Sequence, residues 1–371
     1  MEIGRVKMTK LFVLIVFTLY FTVFGLVANE AEITYRLLVL GDIHYTNQRY
    51  NPLPYPKKQR SINKYISMWR KKSPELLSAA RKQIKSEPVK GVLQLGDLTN
   101  GECESELLHE QMFRYAFQTL KNYFPNEPLY TVIGNHDVRQ RHSESMGPVR
   151  KVLLPRQAKE LDRKTLKNGN YCFCIGPDLF VAVDCFEKAE KVSAFLRKTL
   201  ADHPKTRYVF LLTHYPLFPA ADRSPLTLIP HYPEIAAMLE KKRAFVLAAH
   251  THQFSRITRS TKNGKITQIV FTSVGEDWHN GRLIRKFFGN SLSEKCNWDQ
   301  YLKMTKKRLF SSKHGQALLE ELSEIESAGK YDGEFFFRKS GFAILNISDR
   351  NIEVRIYLDD SGKPARILQL K

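Results

Sequence analysis

The sequence predicts an α/β fold, in which apolar strands alternate with helices and polar side chains collect at one edge of a sheet. Two observations support this prediction. Short apolar runs alternate along the chain with stretches of helical periodicity. Five of the apolar runs also end in a polar cluster, and these clusters are Gly41-Asp42-Ile43-His44, Gly96-Asp97-Leu98, Gly134-Asn135-His136-Asp137, Thr213-His214-Tyr215-Pro216 and Ala249-His250-Thr251-His252. Because strand ends of one sheet share a rim, we expect the clusters to lie together.

Each element is predicted from its local pattern. Apolar runs predict strands at residues 35–40, 89–95, 128–133, 171–175, 179–184, 207–212, 244–248 and 265–274, and a closing hairpin over 341–358. Apolar faces with helical spacing predict helices at residues 73–86, 104–124, 192–200 and 235–242. We expect Ser73 to be the N-cap of the first of these helices and Leu107 to belong to the apolar face of the second. Three less regular segments, at about 45–72, 138–169 and 277–338, are interpreted as insertions in a single domain spanning 33–371.

Composition and charge limit the class of protein only broadly. A chain of 371 residues with 43% hydrophobic content can form one large domain or two average ones. Lys and Arg number 58 against 38 Asp and Glu, which gives a net charge of +20. This surplus is either an ordinary solvated surface or a field that attracts anions, including phosphate esters and an anionic membrane surface. The basic residues are spread along the chain, so nucleic acid is not singled out as a partner.

The N-terminus has the layout of a secretory signal peptide, which we assign to residues 1–28. Three basic residues precede a strongly apolar run at residues 11–27, and Ala28 offers a small residue for cleavage. The apolar run is shorter than the roughly 20 residues that span a membrane comfortably, and an uncleaved anchor is the alternative. We therefore expect an exported protein, periplasmic or extracellular, that is either released or membrane-anchored by this segment.

The polar clusters contain the side chains of a metal site. Carboxylate, amide and imidazole ligands without cysteine suit Mn, Fe or Zn. The candidate ligands in the clusters are Asp42, His44, Asp97, Asn135, His214, His250 and His252. Seven ligands are too many for one such ion, whereas two divalent metal ions bridged by one carboxylate would use them all. Such a pair lowers the pKa of a bridging water and neutralises charge on phosphoryl oxygens. His136 is then the candidate proton donor to the leaving group, and we expect Asp137 to fix its orientation.

The five clusters, in this order, resemble the calcineurin-like metallophosphoesterases, whose pattern is GD-x-H, GD, GNH-D/E, H and GH-x-H. The resemblance covers about residues 35–275 and implies a four-layer α/β/β/α sandwich of two mixed sheets with a dimetal site at the strand ends. It also implies the two ligand sets, which are Asp42, His44, Asp97 and His252 for one metal, and Asp97, Asn135, His214 and His250 for the other, with Asp97 as the bridge. Ala249 stands where the family usually has glycine, which would cost about 1 kcal/mol if that position requires a positive φ.

The resulting expectation is an exported dimetal phosphoesterase that attacks the phosphomonoester or phosphodiester bond of an anionic substrate with metal-activated hydroxide. The alternatives are a hydrolase of lipid-headgroup or nucleic-acid phosphoesters and a non-catalytic metal-dependent binding protein. Arg139 is the candidate phosphate contact because of its position after the tetrapeptide. Other loop residues that could shape the substrate pocket are Tyr45, Asn47, Arg49, His142, Asp277, Trp278 and His279.

Cysteine usage argues against a thiolate metal site, because none of the five cysteines belongs to a CxxC pair. Cys172 and Cys174 fall on one predicted strand and Cys185 close to the next. We interpret these three as buried thiols rather than as a disulfide and a free cysteine.

Overall fold

The computed structural model describes residues 33–51, 55–140, 143–218, 232–277, 294–295, 330–335 and 339–370. The predicted signal segment at residues 1–28, together with His142, Trp278 and His279, lies outside these residues. Within the described ranges, no helix is both long and apolar enough to cross a bilayer.

Strands and helices alternate through most of the described chain. In chain order they are β1 Ile33–Leu40, α1 Gln59–Arg70, α2 Lys72–Ser86, β2 Val92–Gln94, α3 Glu106–Tyr123, β3 Leu129–Thr131, α4 Asn135–Val138, α5 Leu154–Glu160, β4 Tyr171–Ile175, β5 Asp178–Ala182, α6 Ala189–Asp202, β6 Val209–Leu212, α7 Tyr232–Leu239, β7 Ala244–Ala248, β8 Ser255–Thr261, β9 Gly264–Val270, β10 Glu294–Lys295, β11 Lys330–Phe335, β12 Phe342–Ser348, β13 Ile352–Tyr357 and β14 Arg366–Leu370. A 3-10 turn at Gln48–Tyr50 and a π-helical turn at Val149–Leu153 lie between them.

The strands form two mixed sheets. The first has the order β14-β13-β12-β1-β2-β3, with β1, β2 and β3 parallel and the other neighbours antiparallel. The second has the order β10-β11-β8-β9-β7-β6-β5-β4, with β5, β6, β7 and β9 parallel. The parallel strands of each sheet therefore end at one edge, as the strand-end clusters require.

Side-chain alternation along the strands builds four layers. On β1, Leu37 and Val39 pack between the sheets against aromatic residues of the second sheet, including Phe180. Leu38 and Leu40 point to the other face and pack against α2 and α3. The far side of the second sheet is covered by α6 and α7. The predicted α/β/β/α sandwich is thus confirmed.

Two local predictions about helices are wrong. Ser73 is not an N-cap, because only Lys71 separates α1 from α2 and the second helix already begins at Lys72. Leu107 does not belong to the apolar face of α3, since its side chain is 64% exposed in the first turn after the N-cap Ser105. Strands β8 and β14 were not predicted at all, because their sequences mix charged and apolar residues.

The irregular segments and the cysteines differ in part from expectation. The segment 45–72 contains α1, and the segment 138–169 contains the π-helical turn and α5. Within the described residues the cysteines are free thiols. Cys185 is buried as expected, but Cys172 is half-buried and Cys174 is exposed, because β4 is an edge strand of the second sheet.

Candidate metal centre

The seven predicted ligands all follow strand ends, and the structure brings them together from both sheets. They are Asp42 and His44 after β1, Asp97 after β2, Asn135 after β3, His214 after β6, and His250 and His252 after β7. Three groups of described residues have ligating atoms that all lie within 4.8 Å of one another, namely Asp42, His44 and His252, then Asp97, His214 and His250, and finally His44, Asp97 and His136. The first two groups each contain three members of one expected ligand set, and the third places His136 within the same distance of His44 and Asp97.

The first group is deeply buried. Nε2 of His44 lies 3.1 Å from Nε2 of His252, which in turn lies 3.4 Å from Oδ1 of Asp42. The Asp42 and His44 side chains have no exposed surface, and His252 is 6% exposed. An ion held between these atoms would be shielded from solvent on this side.

The second group is more open, and its carboxylate, Asp97, also approaches the first group. Nε2 of His214 lies 3.2 Å from Nδ1 of His250 and 3.1 Å from Oδ1 of Asn135. Asp97 places Oδ1 3.4 Å from His214 Nε2 and Oδ2 3.8 Å from His44 Nε2. Asp97 therefore lies between the groups with one oxygen toward each, which is the position of the expected bridge.

The hydrogen bonds of two histidines test whether these residues fit metal ions. Nδ1 of His214 donates to the carbonyl of Leu95 at 2.9 Å, and Nδ1 of His252 lies 2.9 Å from Oε2 of Glu276. Nε2 of each ring is then left with a lone pair that points into its group. Metal–nitrogen bonds of about 2.0–2.1 Å place neighbouring ligand atoms roughly 3 Å apart, close to the separations found here. The donor set fits two divalent ions of the Mn, Fe or Zn type.

Backbone strain is concentrated at the same residues. Among the described non-glycine residues with positive φ, four of five are predicted ligands: His44 (49°), Asp97 (52°), His250 (70°) and His252 (53°). A left-handed conformation costs roughly 1–2 kcal/mol in a residue with a side chain, and such strain persists where function requires it. Ala249 is not among these residues. The replacement of the family glycine at this position therefore carries no penalty from positive φ.

Two motif glycines allow the strand-end turns to approach each other closely. A Cβ atom on Gly134 would lie 2.2 Å from the amide nitrogen and Oδ1 of Asp97. A Cβ atom on Gly96, which has a φ of 89°, would lie 2.5 Å from Nδ1 of His214. Glycine is needed at both positions to let the ligands converge.

His136 lies at the open edge of the site, beside the ligands. Its Nδ1 donates to the carbonyl of Asn100 at 2.8 Å, and its Nε2 accepts from Nη1 of Arg139 at 3.0 Å. Its ring centroid is 4.5 Å from that of His44. Burial lowers the pKa of His136, and the charge of Arg139 adds to this effect against the opposing charge of Asp97. His136 is thus placed where a reacting group could meet it, and its catalytic role stays a prediction.

The prediction that Asp137 orients the His136 ring is wrong. Oδ1 of Asp137 accepts from the amide of Thr99 at 2.9 Å, and Oδ2 accepts from the amide of Gly134 at 2.9 Å. Asp137 is the third residue of the α4 turn, so its carboxylate folds back toward the turn's own N-terminus. It ties the β2 turn to the β3 turn, while the carbonyl of Asn100 takes the orienting role.

The charged groups of the site perturb one another strongly. In the metal-free site, burial lowers the pKa of His214, but the Asp97 carboxylate outweighs burial and raises it to about 9, so a metal ion would displace a proton from Nε2. Burial disfavours the charged form of Asp97, yet His214 and His136 hold the pKa of this carboxyl well below its usual range. Burial raises the pKa of Asp137 to about 7, and the Asp97 charge adds to this shift. Perturbed groups gathered at one edge of a sheet are typical of functional sites.

Arg139 lies where a phosphate contact was predicted, next to His136 at the edge of the site. Nη1 of Arg139 is 3.6 Å from Oε1 of the buried Glu102, which also pairs with Lys58 at 3.3 Å. Its side chain keeps 32% of its surface exposed, so one side of the guanidinium faces outward. Contact with substrate phosphate stays a prediction for this residue.

Most of the other candidate pocket residues in the described ranges have structural partners. The Asn47 side chain accepts from the amide of Arg49, whose guanidinium lies 3.9 Å from the ring centroid of Tyr115. Asp277 pairs with Lys72 and accepts from Ser340. Tyr45 is nearly buried, and its ring packs edge-on against Trp69.

Glu276, the carboxylate beside His252, is a site residue that was not predicted from the sequence. The signal was present, because Gly275 and Glu276 follow an apolar run just as Gly41 and Asp42 do. Tyr65 was also missed, although its ring centroid lies 4.6 Å from that of His44. It comes from a segment with no recognisable motif, so nothing in the local sequence pointed to it.

Comparisons with known proteins agree with this geometry. The calcineurin-like phosphoesterase family matches residues 35–254, which is more than half of the chain. A comparison with curated proteins finds no match. Among solved structures, a dimetal phosphatase from Danio rerio is similar over 92% of this chain and 99% of that one, with a TM-score of 0.53 and 14% identity.

Two further structures have the same TM-score of 0.53. GAP50, described as the anchor in the inner membrane complex of Plasmodium, is similar over 92% of this chain and 89% of its own, at 12% identity. A purple acid phosphatase from yellow lupin, Lupinus luteus, is similar over 90% of this chain and 53% of its own, at 14% identity. At these identities the likeness shows the fold alone.

Proposed function

Because the chain belongs to the calcineurin-like phosphoesterase family, we propose that it is an exported, dimetal hydrolase of phosphomonoesters or small phosphodiesters. The observation that carries this proposal is the position of Asp97 between two groups of converging ligands, with His136 at their open edge. A site built only to hold metal does not need an imidazole beside the ligands. The amide of His136 donates to Asp97 Oδ1 at 2.7 Å, so the bridge also fixes the backbone that carries this imidazole.

Each residue of the site has a defined task in this proposal. Two bound divalent ions would supply a water of lowered pKa and neutralise charge on the phosphoryl oxygens. Asp97 would keep the two positions at a fixed separation through its two oxygens. His136, held at Nδ1 by the Asn100 carbonyl, would have to take up a second proton at Nε2, in place of the contact with Arg139, and would then donate that proton to the leaving oxygen. Arg139 would oppose the negative charge of the phosphoryl group from the exposed side.

The start of strand β1 lies far from the metal centre, which favours a diffusible substrate over a lipid headgroup. β1 begins at Ile33 and reaches the metal centre only beyond Leu40. A strand of this length spans roughly 25 Å. The predicted signal or anchor segment therefore joins the domain at the end far from the site. An anchor retained there would tend to hold the site away from its own bilayer rather than against it.

A binding protein that uses the same metal centre without turnover is the second candidate, because the fold also occurs in GAP50, which is described as an anchor. The two candidates differ in what His136 is for. In an enzyme its replacement lowers kcat by orders of magnitude, whereas a binding protein keeps its metal and its binding when His136 is replaced.

Hydrolysis of two chromogenic esters tests the proposal. The chain from Asn29 onward is stripped of metal, reloaded with Mn, and assayed with p-nitrophenyl phosphate and bis-p-nitrophenyl phosphate. Metal-dependent turnover that disappears in Asp97→Asn but survives in Asp277→Asn supports a phosphoesterase, and the ratio of the two rates sorts monoester from diester chemistry. A protein that holds two metals and cleaves neither these esters nor a panel of nucleotide and lipid phosphoesters would instead support the binding protein.

A further inference from the structure

Resting on the metal centre of the proposed function, we propose that Glu276 is a positioning residue for one of the two metals. It holds His252 in its ligating form and, together with helix α1, makes the ion of the first group exchange more slowly than the ion of the second. The sequence predicts an insertion at the segment that carries α1, and in this proposal that helix is part of the metal centre.

The first step is the contact between Glu276 and His252. Oε2 of Glu276 lies 2.9 Å from Nδ1 of His252, and Glu276 is only 2% exposed. A carboxylate this close to Nδ1 favours the tautomer that carries its proton there, so Nε2 keeps its lone pair and points toward His44 and Asp42. A carboxylate behind a ligating histidine fixes the ring and raises its basicity as a ligand.

The second step is the way in which Glu276 is itself held by α1. Lys64 forms an ion pair with Oε1 of Glu276. The ring of Tyr65 also packs against His44, at 4.6 Å between centroids. Nε1 of Trp69 donates to the His44 carbonyl at 2.9 Å. One helix thus supports both histidines of the first group.

The third step is that the second group has no equivalent support. Nδ1 of His214 is held by the carbonyl of Leu95, a neutral acceptor. His250 and Asn135 are half-buried, in contrast to the nearly complete burial of the first group. Within the described residues, no carboxylate from outside the seven ligands forms an ion pair with the second group. Shielding and an extra charged acceptor therefore favour slower release of the ion in the first group.

Metal release into a chelator tests this directly, without any substrate. The Mn-loaded protein is mixed with excess EDTA, and the loss of bound Mn is followed by electron paramagnetic resonance. We expect two phases in the wild-type protein. In Glu276→Gln the slow phase should become roughly 10–100-fold faster while the fast phase is unchanged, since loss of such an outer carboxylate typically weakens metal binding by this factor.

Two further variants separate positioning from general damage. Asp277→Asn alters the neighbouring carboxylate, which pairs with Lys72 and Ser340 and contacts none of the ligands, and it should leave both phases unchanged. Lys64→Met removes the anchor of Glu276 without touching a ligand and should accelerate the slow phase alone. Equal unfolding curves of the metal-free variants would show that folding is intact.

A single release phase in the wild-type protein would overturn the proposal, as would an unchanged slow phase in Glu276→Gln or equal acceleration of both phases. A protein that shows the expected release pattern but hydrolyses no ester would refute the enzymatic function and leave the role of Glu276 standing.

Discussion

His136 is the residue whose substitution separates metal binding from catalysis. Its ring contacts the Asn100 carbonyl and Arg139, and it belongs to neither of the two predicted ligand sets. We expect His136→Gln to lower kcat by about 10²–10⁴, the usual contribution of a general acid, while the Mn content stays at two ions. The loss should be smaller for p-nitrophenyl phosphate than for an alkyl phosphate, because p-nitrophenolate leaves without needing a proton.

Steady-state kinetics with p-nitrophenyl phosphate and with the alkyl phosphate, together with metal analysis of the same samples, check this prediction. His203→Gln, a substitution at the end of α6 away from the site, provides the control. Loss of metal in His136→Gln would show that this residue is a ligand, and equal losses for the two esters would argue against proton donation.

The burial of His109 determines part of the dependence of the unfolding free energy on pH. It is fully buried, with Nε2 2.9 Å from Oγ1 of Thr99, and burial lowers its pKa to about 3. The unfolded chain, with a histidine pKa near 6.5, binds a proton that the folded chain excludes. The contribution of His109 to the free energy of unfolding therefore falls as pH drops below about 6.5, and between pH 7 and 5 this fall amounts to about 2 kcal/mol.

Urea unfolding of the metal-free protein at pH 7 and pH 5 measures this effect. His109→Gln removes the titrating group. The decrease in unfolding free energy from pH 7 to pH 5 should therefore be about 2 kcal/mol smaller in this variant than in the wild type. An identical pH dependence in wild type and His109→Gln would mean that His109 takes up its proton equally in the folded and unfolded states, which contradicts the lowered pKa.

The metal ligands could be predicted from sequence because each belongs to a short, local pattern of an apolar run followed by polar residues. The partners of those ligands could not be predicted in the same way. The Asn100 carbonyl orients His136 through a backbone atom, which every residue possesses. Asp137 was given the wrong partner, since adjacency to His136 in sequence does not say which way a carboxylate turns. The positive φ angles of four ligands likewise leave no mark on the residue types.

The turns after β2 and β3 are the elements on which the metal centre depends most directly. A Cβ on Gly134 would overlap Oδ1 of Asp97, the oxygen that faces the second group. We expect Gly134→Ala to displace this carboxylate and to weaken both metal positions, because Asp97 lies between them. Calorimetric titration of the metal-free protein with Mn should show a loss of affinity for both ions.

Gly176 provides a matched control in a different turn. It lies in the β4–β5 hairpin with a φ of 56°, and a Cβ there would meet nothing within 4 Å. Gly176→Ala should therefore cost about 1 kcal/mol of stability through its backbone conformation alone and leave Mn affinity unchanged. If both alanine variants lose the same stability and neither loses metal, the close approach at Gly134 is not what positions Asp97.

Helix α1 was only partly predictable from sequence. The segment 45–72 was read as a loop or a small helical insertion, and a helix is present at Gln59–Arg70. Its buried face, formed by Ile62, Tyr65 and Ile66, identifies it as a packed helix. Its partners are the β1 turn and Glu276, which are distant in sequence, and periodicity carries no information about which surface a helix covers.

At the scale of the whole molecule, the order of strands and helices could be predicted from the sequence more accurately than the bounds of the strands. The parallel strands are buried on both faces and appear as continuous apolar runs, which made β1, β6 and β7 recognisable. Strand β8 pairs antiparallel with β9 and β11 and includes Arg256 and Arg259, so it lacks such a run. The two-sheet arrangement itself came from the family resemblance, because local patterns do not say which strands share a sheet.

The two sheets are joined far from the metal centre by Asp178, and this contact predicts how the domain unfolds. Asp178 begins β5, is fully buried, and accepts from the Tyr35 hydroxyl of β1 at 2.6 Å and from Nε of Arg207 at 2.9 Å. Asp178→Asn would leave the nearly buried Arg207 without its main countercharge, at a cost of about 3–5 kcal/mol. Because both sheets share the core between them, we expect a single unfolding transition that shifts as a whole.

Denaturant unfolding followed by circular dichroism measures this cost, and kcat per folded molecule should be unchanged because Asp178 lies at the opposite strand ends from the ligands. Asp349→Asn is the matched control, since this carboxylate also pairs with Arg207 but is 82% exposed and should contribute at most about 1 kcal/mol. Two separate transitions in Asp178→Asn would show that the sheets fold independently and that the chain from residue 33 is not one domain. A lowered kcat with unchanged stability would place the influence of Asp178 on the site rather than on the junction of the sheets.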